Sequence, residues 1–222
     1  MKIVIQCAAS KTPDAGFFCA GNGKRIHFVA PPEKAPPLDS RGIYARPDNP
    51  SDIQGKTWRD KLSAYNRAPA ENPFGLVPAY RLYQNAVYRD LVDRFGQGNV
   101  FILSAGWGLI RSDFLTPKYD ITFSASADAY KRRRPRDIYH DFCQLPLDRG
   151  NEIVFFGGKD YRPLFYRLTR NIRAHKIVFY NSAFIREEPG FEFRRYETMT
   201  RTNWHYQCAT DFLAGRLVVV QH

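Results

Sequence analysis

Four short apolar runs constrain this chain more than any other feature: residues 2–6 (KIVIQ), 99–104 (NVFILS), 153–156 (IVFF) and 176–180 (KIVFY). Each is too short for a buried helix, and none alternates polar with apolar residues. That is the pattern of a strand covered on both faces, which in turn implies a parallel sheet with helices above and below it. The intervening segments supply helices. Pro78 suits a first turn, Tyr83, Ala86, Val87, Leu91 and Phe95 recur on one face, and Gly96 ends the run, predicting a helix over 78–95. Further helices are expected over 160–170, over Trp204–Leu213 before Gly215, and over 125–142 with Pro135 as a kink, followed by a last short strand over 217–220. Strands alternating with helices predict an α/β fold, a three-layer sandwich on a mainly parallel sheet.

A chain of 222 residues with 44% hydrophobic and 15% aromatic content can bury a sizeable core, and residues 1–222 read as one domain without internal repeats. Residues 12–77 differ in character. They hold most of the prolines and several glycines, and apart from a possible edge strand at Arg25–Val29 they read as a long irregular insertion or lid. No apolar run of about 18 residues occurs, so no membrane span is expected. The start, MKIVIQCAASK, reads as a first strand rather than an export signal. Cys7, Cys19, Cys143 and Cys208 have no CxxC spacing, so reduced thiols in a cytoplasmic protein are expected and zinc ligation is not. The net charge of +11 points to a polyanionic partner, most simply nucleic acid, because Lys and Arg displace counterions from phosphates.

In open α/β sheets, ligands gather outside the carboxyl ends of the strands. That rule groups three turns. The first, CAASK, offers the Ser10 hydroxyl and the Lys11 ammonium, which hold a phosphate, assist a leaving group, or simply cap the next element. The third, FFGGKDYR, lets backbone N–H groups at Gly157-Gly158 face an anion at a helix start. Lys159 adds charge there, and Tyr161 and Arg162 can stack on a base or bind a phosphate. It lacks GxxxxGK[ST], so neither ATP nor any other cofactor is called for. A tight strand-to-helix turn with a solvated Lys explains it equally well.

The second turn is LSAGWGLIRSDFLTPKYD, residues 103–120. Gly106 and Gly108 flank Trp107, so an indole face can be presented on a close-approach backbone. Pro117 stiffens the approach to Tyr119 and Asp120. A carboxylate at a pocket rim can orient a water or stabilise an oxocarbenium-like centre. Asp113 is a second candidate, although Arg111 and Ser112 beside it suggest a solvated turn. The competing reading makes Asp120 a turn residue and Trp107 core. Lys131, Arg132, Arg133 and Arg134 form a phosphate-tracking patch or a solvated helix face. His205, beside Trp204, reads as structural before it reads as an acid or base.

The segments IVIQCAASK, YRLYQNAVYRDL, VFILSAGWGLIRSDFLTPKYDITF and FFGGKDYR together resemble a large group of uncharacterised bacterial proteins with the pattern LSAxxGL…YD. That group is similar to the YaaA peroxide-stress proteins and, more remotely, to the uracil-DNA-glycosylase-like fold. The resemblance covers roughly residues 2–170 and maps Lys11, Leu82-Tyr83, Ser104-Ala105, Gly108-Leu109, Tyr119-Asp120 and Tyr161-Arg162 onto the pattern. It departs at Trp107, where Tyr or His is commoner, at Lys118, and in the insertion. It implies DNA binding or base processing. Three functions follow: a DNA N-glycosidase releasing a modified base, a DNA-binding protein without catalysis, or a nucleotide or nucleoside hydrolase. The glycosidase assigns chemistry to Asp120, Lys11 and Ser10. Its nucleic-acid contacts fall to Ser104, Gly106, Trp107, Tyr119, the third turn and the 131–134 patch.

Overall fold

The computed structural model describes residues 1–68, 71–147, 152–200 and 202–217. In chain order, β1 (Lys2–Gln6) is followed by β2 (Arg25–Val29), β3 (Gly42–Ala45), α1 (Trp58–Arg67), β4 (Val77–Pro78), α2 (Ala79–Leu82) and α3 (Val87–Phe95). Then come β5 (Val100–Ser104), β6 (Gly108–Arg111), β7 (Leu115–Thr116), β8 (Tyr119–Asp120), β9 (Phe142–Cys143) and β10 (Glu152–Phe156). The chain continues through α4 (Arg162–Thr169), β11 (His175–Tyr180), β12 (Glu192–Arg195) and α5 (Trp204–Leu213).

The four apolar runs form the centre of a seven-stranded sheet of order β12-β11-β10-β1-β5-β6-β9, parallel throughout except for the β5–β6 pair. Phe155 and Phe156 are neighbours on β10 and therefore point to opposite faces. Phe155 stacks on Phe165 of α4 with ring centroids 4.3 Å apart, whereas Phe156 packs 5.3 Å from Phe212 of α5. Helices thus cover both faces, and the protein is a three-layer α/β sandwich. The chain leaves β1 towards β5 on one side and later places β10 on the other. The strand order therefore reverses between β1 and β10, where such folds open a ligand crevice.

Three expectations are corrected. The helix over 78–95 is interrupted: Tyr83 leaves it to pair with Lys11, the Thr12 N–H donates to the Leu82 carbonyl, and Asn85 Oδ1 accepts from the Val87 N–H where the helix restarts. Residues 125–142 are turns and irregular backbone leading into β9 instead of a helix, because the Lys131 carbonyl and the Arg133 N–H both bond to the Thr122 backbone. The insertion is not irregular throughout. It contains α1, whose start is a capping box between Thr57 and Asp60, and β2, which is the middle strand of a parallel β3-β2-β8 sheet rather than an edge. Its Phe18, Phe28, Trp58 and Leu62 belong to the same continuous core as the large sheet. The strand expected over 217–220 lies, beyond Leu217, outside the described residues.

Candidate functional site

The LSAGWG segment is a tight β5–β6 hairpin in which Ser104 faces Gly108 across Ala105–Trp107. Gly108 has φ +90, and a Cβ there would lie 2.5 Å from the Phe142 carbonyl oxygen. At Gly106 a Cβ would press on the Tyr119 ring at 3.2 Å. The glycines therefore serve close packing. Trp107 is fully buried, edge-on to Phe28 and Tyr119, so it cannot stack on an incoming base. Two buried arginines hold the hairpin carbonyls. Arg59 donates to Gly106 O and Trp107 O at 3.0 and 2.9 Å, and Arg133 donates to Ala105 O at 2.8 Å. Arg59 is balanced by Asp48, and Arg133 by Asp141.

This corrects the nucleic-acid assignments of Ser104, Gly106, Trp107, Tyr119 and Arg133. Ser104 Oγ is buried, accepts from the Gly106 and Trp107 N–H groups, and donates to Tyr119 Oη, which is 2.8 Å from Tyr83 Oη. Burial pushes both tyrosine hydroxyls far above their ordinary pKa, so the chain stays neutral. Of the basic run, Lys131 pairs with Asp128, Arg132 is half-buried, and only Arg134 is exposed.

The third turn and Asp120 line two neighbouring cavities. The larger, about 600 Å³, is the crevice at the β1–β10 switch point. Cys7, Ala8 and Ala9 from the first turn and Gly158–Arg162 from the third form its walls. Gly157 is required because a Cβ would meet the Phe155 ring at 2.2 Å. The Gly158 N–H is taken by Gln6 Oε1 at 2.6 Å, and Tyr161 is buried with its hydroxyl 3.3 Å from Cys7 Sγ. The starts of α4 and α5 both border this crevice, and neither has an acidic residue in its first turn or a side-chain cap. Two helix N-termini, Lys159 and Arg162 thus set a positive potential. His205 also lines it, buried, with Nε2 lacking a partner among the described residues; burial lowers its pKa to about 4. Sequence reasoning weighed His205 and read it as structural, and it missed Asn203. The left-handed backbone of Asn203 (φ 59), just before α5, is not visible in residue type alone.

The second cavity, about 410 Å³, holds Asp120. β8 extends the small sheet, pairing Asp120 with Val29 and turning its carboxylate to the surface. Among the described residues the carboxylate has no hydrogen bond or ion pair, although Lys11, His27 and Lys131 lie within its field. Phe17, Tyr44 and Tyr130 supply aromatic walls. Lys11 stands between the cavities, donating to Ala8 O and Ala9 O, with Nζ 4.4 Å over the Tyr119 ring; burial lowers its pKa. Ser10 is exposed and lines neither cavity. Asp113 is tied to Arg111 in a partly exposed bidentate pair, as the solvated-turn reading expects. Asp120 and Thr122 line different cavities two residues apart in the chain, so the two cavities are neighbours.

Residues 75–182 match a family of unknown function, DUF6884. The matched segment runs from just before β4 to just beyond β11, and so includes the hairpin, Asp120 and the third turn. It leaves out Lys11, the aromatic walls Phe17 and Tyr44, and the α5 wall of the crevice. No curated protein matches the chain.

Proposed function

We propose that the protein is a nucleic-acid base-processing enzyme, a DNA N-glycosidase that releases a modified base. The observation that carries this reading is Asp120: a carboxylate free of hydrogen bonds and ion pairs among the described residues, facing an aromatic-walled cavity beside a basic crevice. A base extruded from its stack would lie against Tyr44 and Tyr130 in the place first assigned to Trp107. The carboxylate would orient water or stabilise the sugar cation. Lys11, lowered in pKa by burial, would assist the departing base. The crevice would hold the adjoining phosphate. All four cysteines are free, which fits a reducing compartment such as the cytoplasm; among the described residues no helix is long and apolar enough to cross a membrane.

The test is incubation with genomic DNAs carrying different modified bases, followed by mass spectrometry for free base and an assay for abasic sites. Base release that disappears in Asp120→Asn supports the glycosidase. DNA binding without release supports the non-catalytic alternative. Hydrolysis of free nucleotides by a protein that binds no DNA supports the hydrolase.

A further inference from the structure

Beyond the switch-point crevice runs a second groove of about 470 Å³, along the exposed side of α4. The two share Lys159 and Arg162, so they adjoin. Arg167, Arg170 and Arg186 line the groove, and Glu188 is the only acid among its lining residues. Arg167 is committed to Asp141, whereas Arg170 and Arg186 are exposed and make no side-chain hydrogen bond or ion pair among the described residues. Arg162, Tyr166 and Arg170 recur every fourth residue and so lie on one face of α4. The exposed, unpaired Arg170 and Arg186 repel each other and Arg162 with little compensating negative charge in the groove, which suits a polyanion.

The crevice end shows what kind of polyanion. Tyr180 and Tyr206 are half-buried and put aromatic surface in its lining, and His205 Nε2, without a partner among the described residues, offers a polar contact. A polyanion that also presents flat apolar rings is a nucleic acid with unstacked bases. Both recesses are concave and nucleotide-sized, unlike a flat basic face that would take a duplex along its outside.

Resting on the nucleic-acid reading above, we infer that crevice and groove form one track for a single strand. A phosphate is seated between the starts of α4 and α5, and the chain then follows the Arg162–Arg170 face of α4. This surface is distinct from the 131–134 run.

The experiment is fluorescence anisotropy of a short fluorescein-labelled oligothymidylate and of its duplex with oligoadenylate, titrated with full-length protein at several salt concentrations. The variants are Arg170→Ala/Arg186→Ala and, for comparison, Arg132→Ala/Arg134→Ala. The single strand should bind more tightly than the duplex, and inorganic phosphate should compete. The Arg170/Arg186 variant should bind more weakly, with a log–log salt slope shallower by about 1.4, at about 0.7 per single-strand phosphate contact. Unchanged affinity and slope in that variant would overturn the track, as would equal binding of the duplex or equal competition by polyglutamate. If the wild type binds no nucleic acid at all, the functional reading itself fails. If wild-type binding is intact and the loss falls on the Arg132/Arg134 variant, only the track fails.

Discussion

Arg133 and Arg134 are adjacent in one basic run, yet their environments are opposite. The Arg133 side chain is 2% exposed and makes a bidentate pair with Asp141, itself 2% exposed, while Arg134 is exposed. A buried guanidinium is tolerated when its charge is paired, and here Nη1 and Nη2 donate to a hairpin carbonyl and a carboxylate, while Nε has no partner among the described residues. Arg133→Ala should therefore cost about 3 kcal/mol, the low end for a broken buried pair, because it takes the donor from Ala105 O and leaves the buried Asp141 with Arg167 alone. Arg134→Ala should stay within about 0.5 kcal/mol. Urea denaturation of both variants checks this, and equal stabilities would show that the Arg133 clamp is not structural. Asp120 gives the reverse case. With no hydrogen bond to lose among the described residues, Asp120→Asn should leave the melting temperature unchanged, while base release falls about 10²–10³-fold. A large drop in melting temperature would make Asp120 structural, and the chemistry would have to be sought elsewhere.

The hairpin between β5 and β6 shows why some elements were legible in the sequence and others were not. Strands β1, β5, β10 and β11 are buried on both faces, so their burial is written as uninterrupted apolar runs. Strands of two residues, such as β7, β8 and β9, carry no such signal, and their pairing is decided by distant partners. Glycines around Trp107 read equally well as a flexible loop or as a packed turn. Only the Phe142 backbone, thirty-odd residues on, makes the second reading correct. The same limit hid the burial of Arg133, whose partner carbonyl at Ala105 comes from the hairpin. By contrast the third turn was placed correctly at a crevice wall, since a strand running into Gly-Gly and then a helix specifies that location by itself. Gly108→Ala should cost more than about 1 kcal/mol, combining a positive φ with a backbone clash, and should loosen the β6–β9 pairing. Gly157→Ala should cost about 1–3 kcal/mol by displacing the Phe155 ring. Amide exchange at Phe142 and Phe155 separates the two: faster exchange confined to Phe142 in the Gly108 variant is the expected pattern, and unchanged exchange would count against it.

Across the molecule, the +11 charge is not spread evenly in function. Part of it is internal scaffolding, as at Arg59 and Arg133, and part lies unpaired around the crevice and the α4 groove. His205 couples that basic surface to folding. Its pKa is lowered from 6.5 to about 4 because burial disfavours the imidazolium. In the unfolded chain it returns to its ordinary value, so between about pH 4 and pH 6.5 the unfolded state binds more protons. Stability from this residue is therefore complete above about pH 6.5 and is lost as pH falls towards 4, by up to about 3 kcal/mol. Paired carboxylates also lose stability on acidification, so the comparison must be with His205→Gln, which cannot titrate. The wild type should lose more stability than His205→Gln between pH 7 and pH 4.5 in urea titrations. The crevice adds a second readout. Burial alone disfavours an imidazolium at His205, whereas a phosphate bound in the crevice would attract it. Added phosphate or oligothymidylate should therefore stabilise the wild type more at pH 4.5 than at pH 7, and that increment should vanish in His205→Gln. An increment of equal size in both proteins would mean that the anion does not sit beside His205.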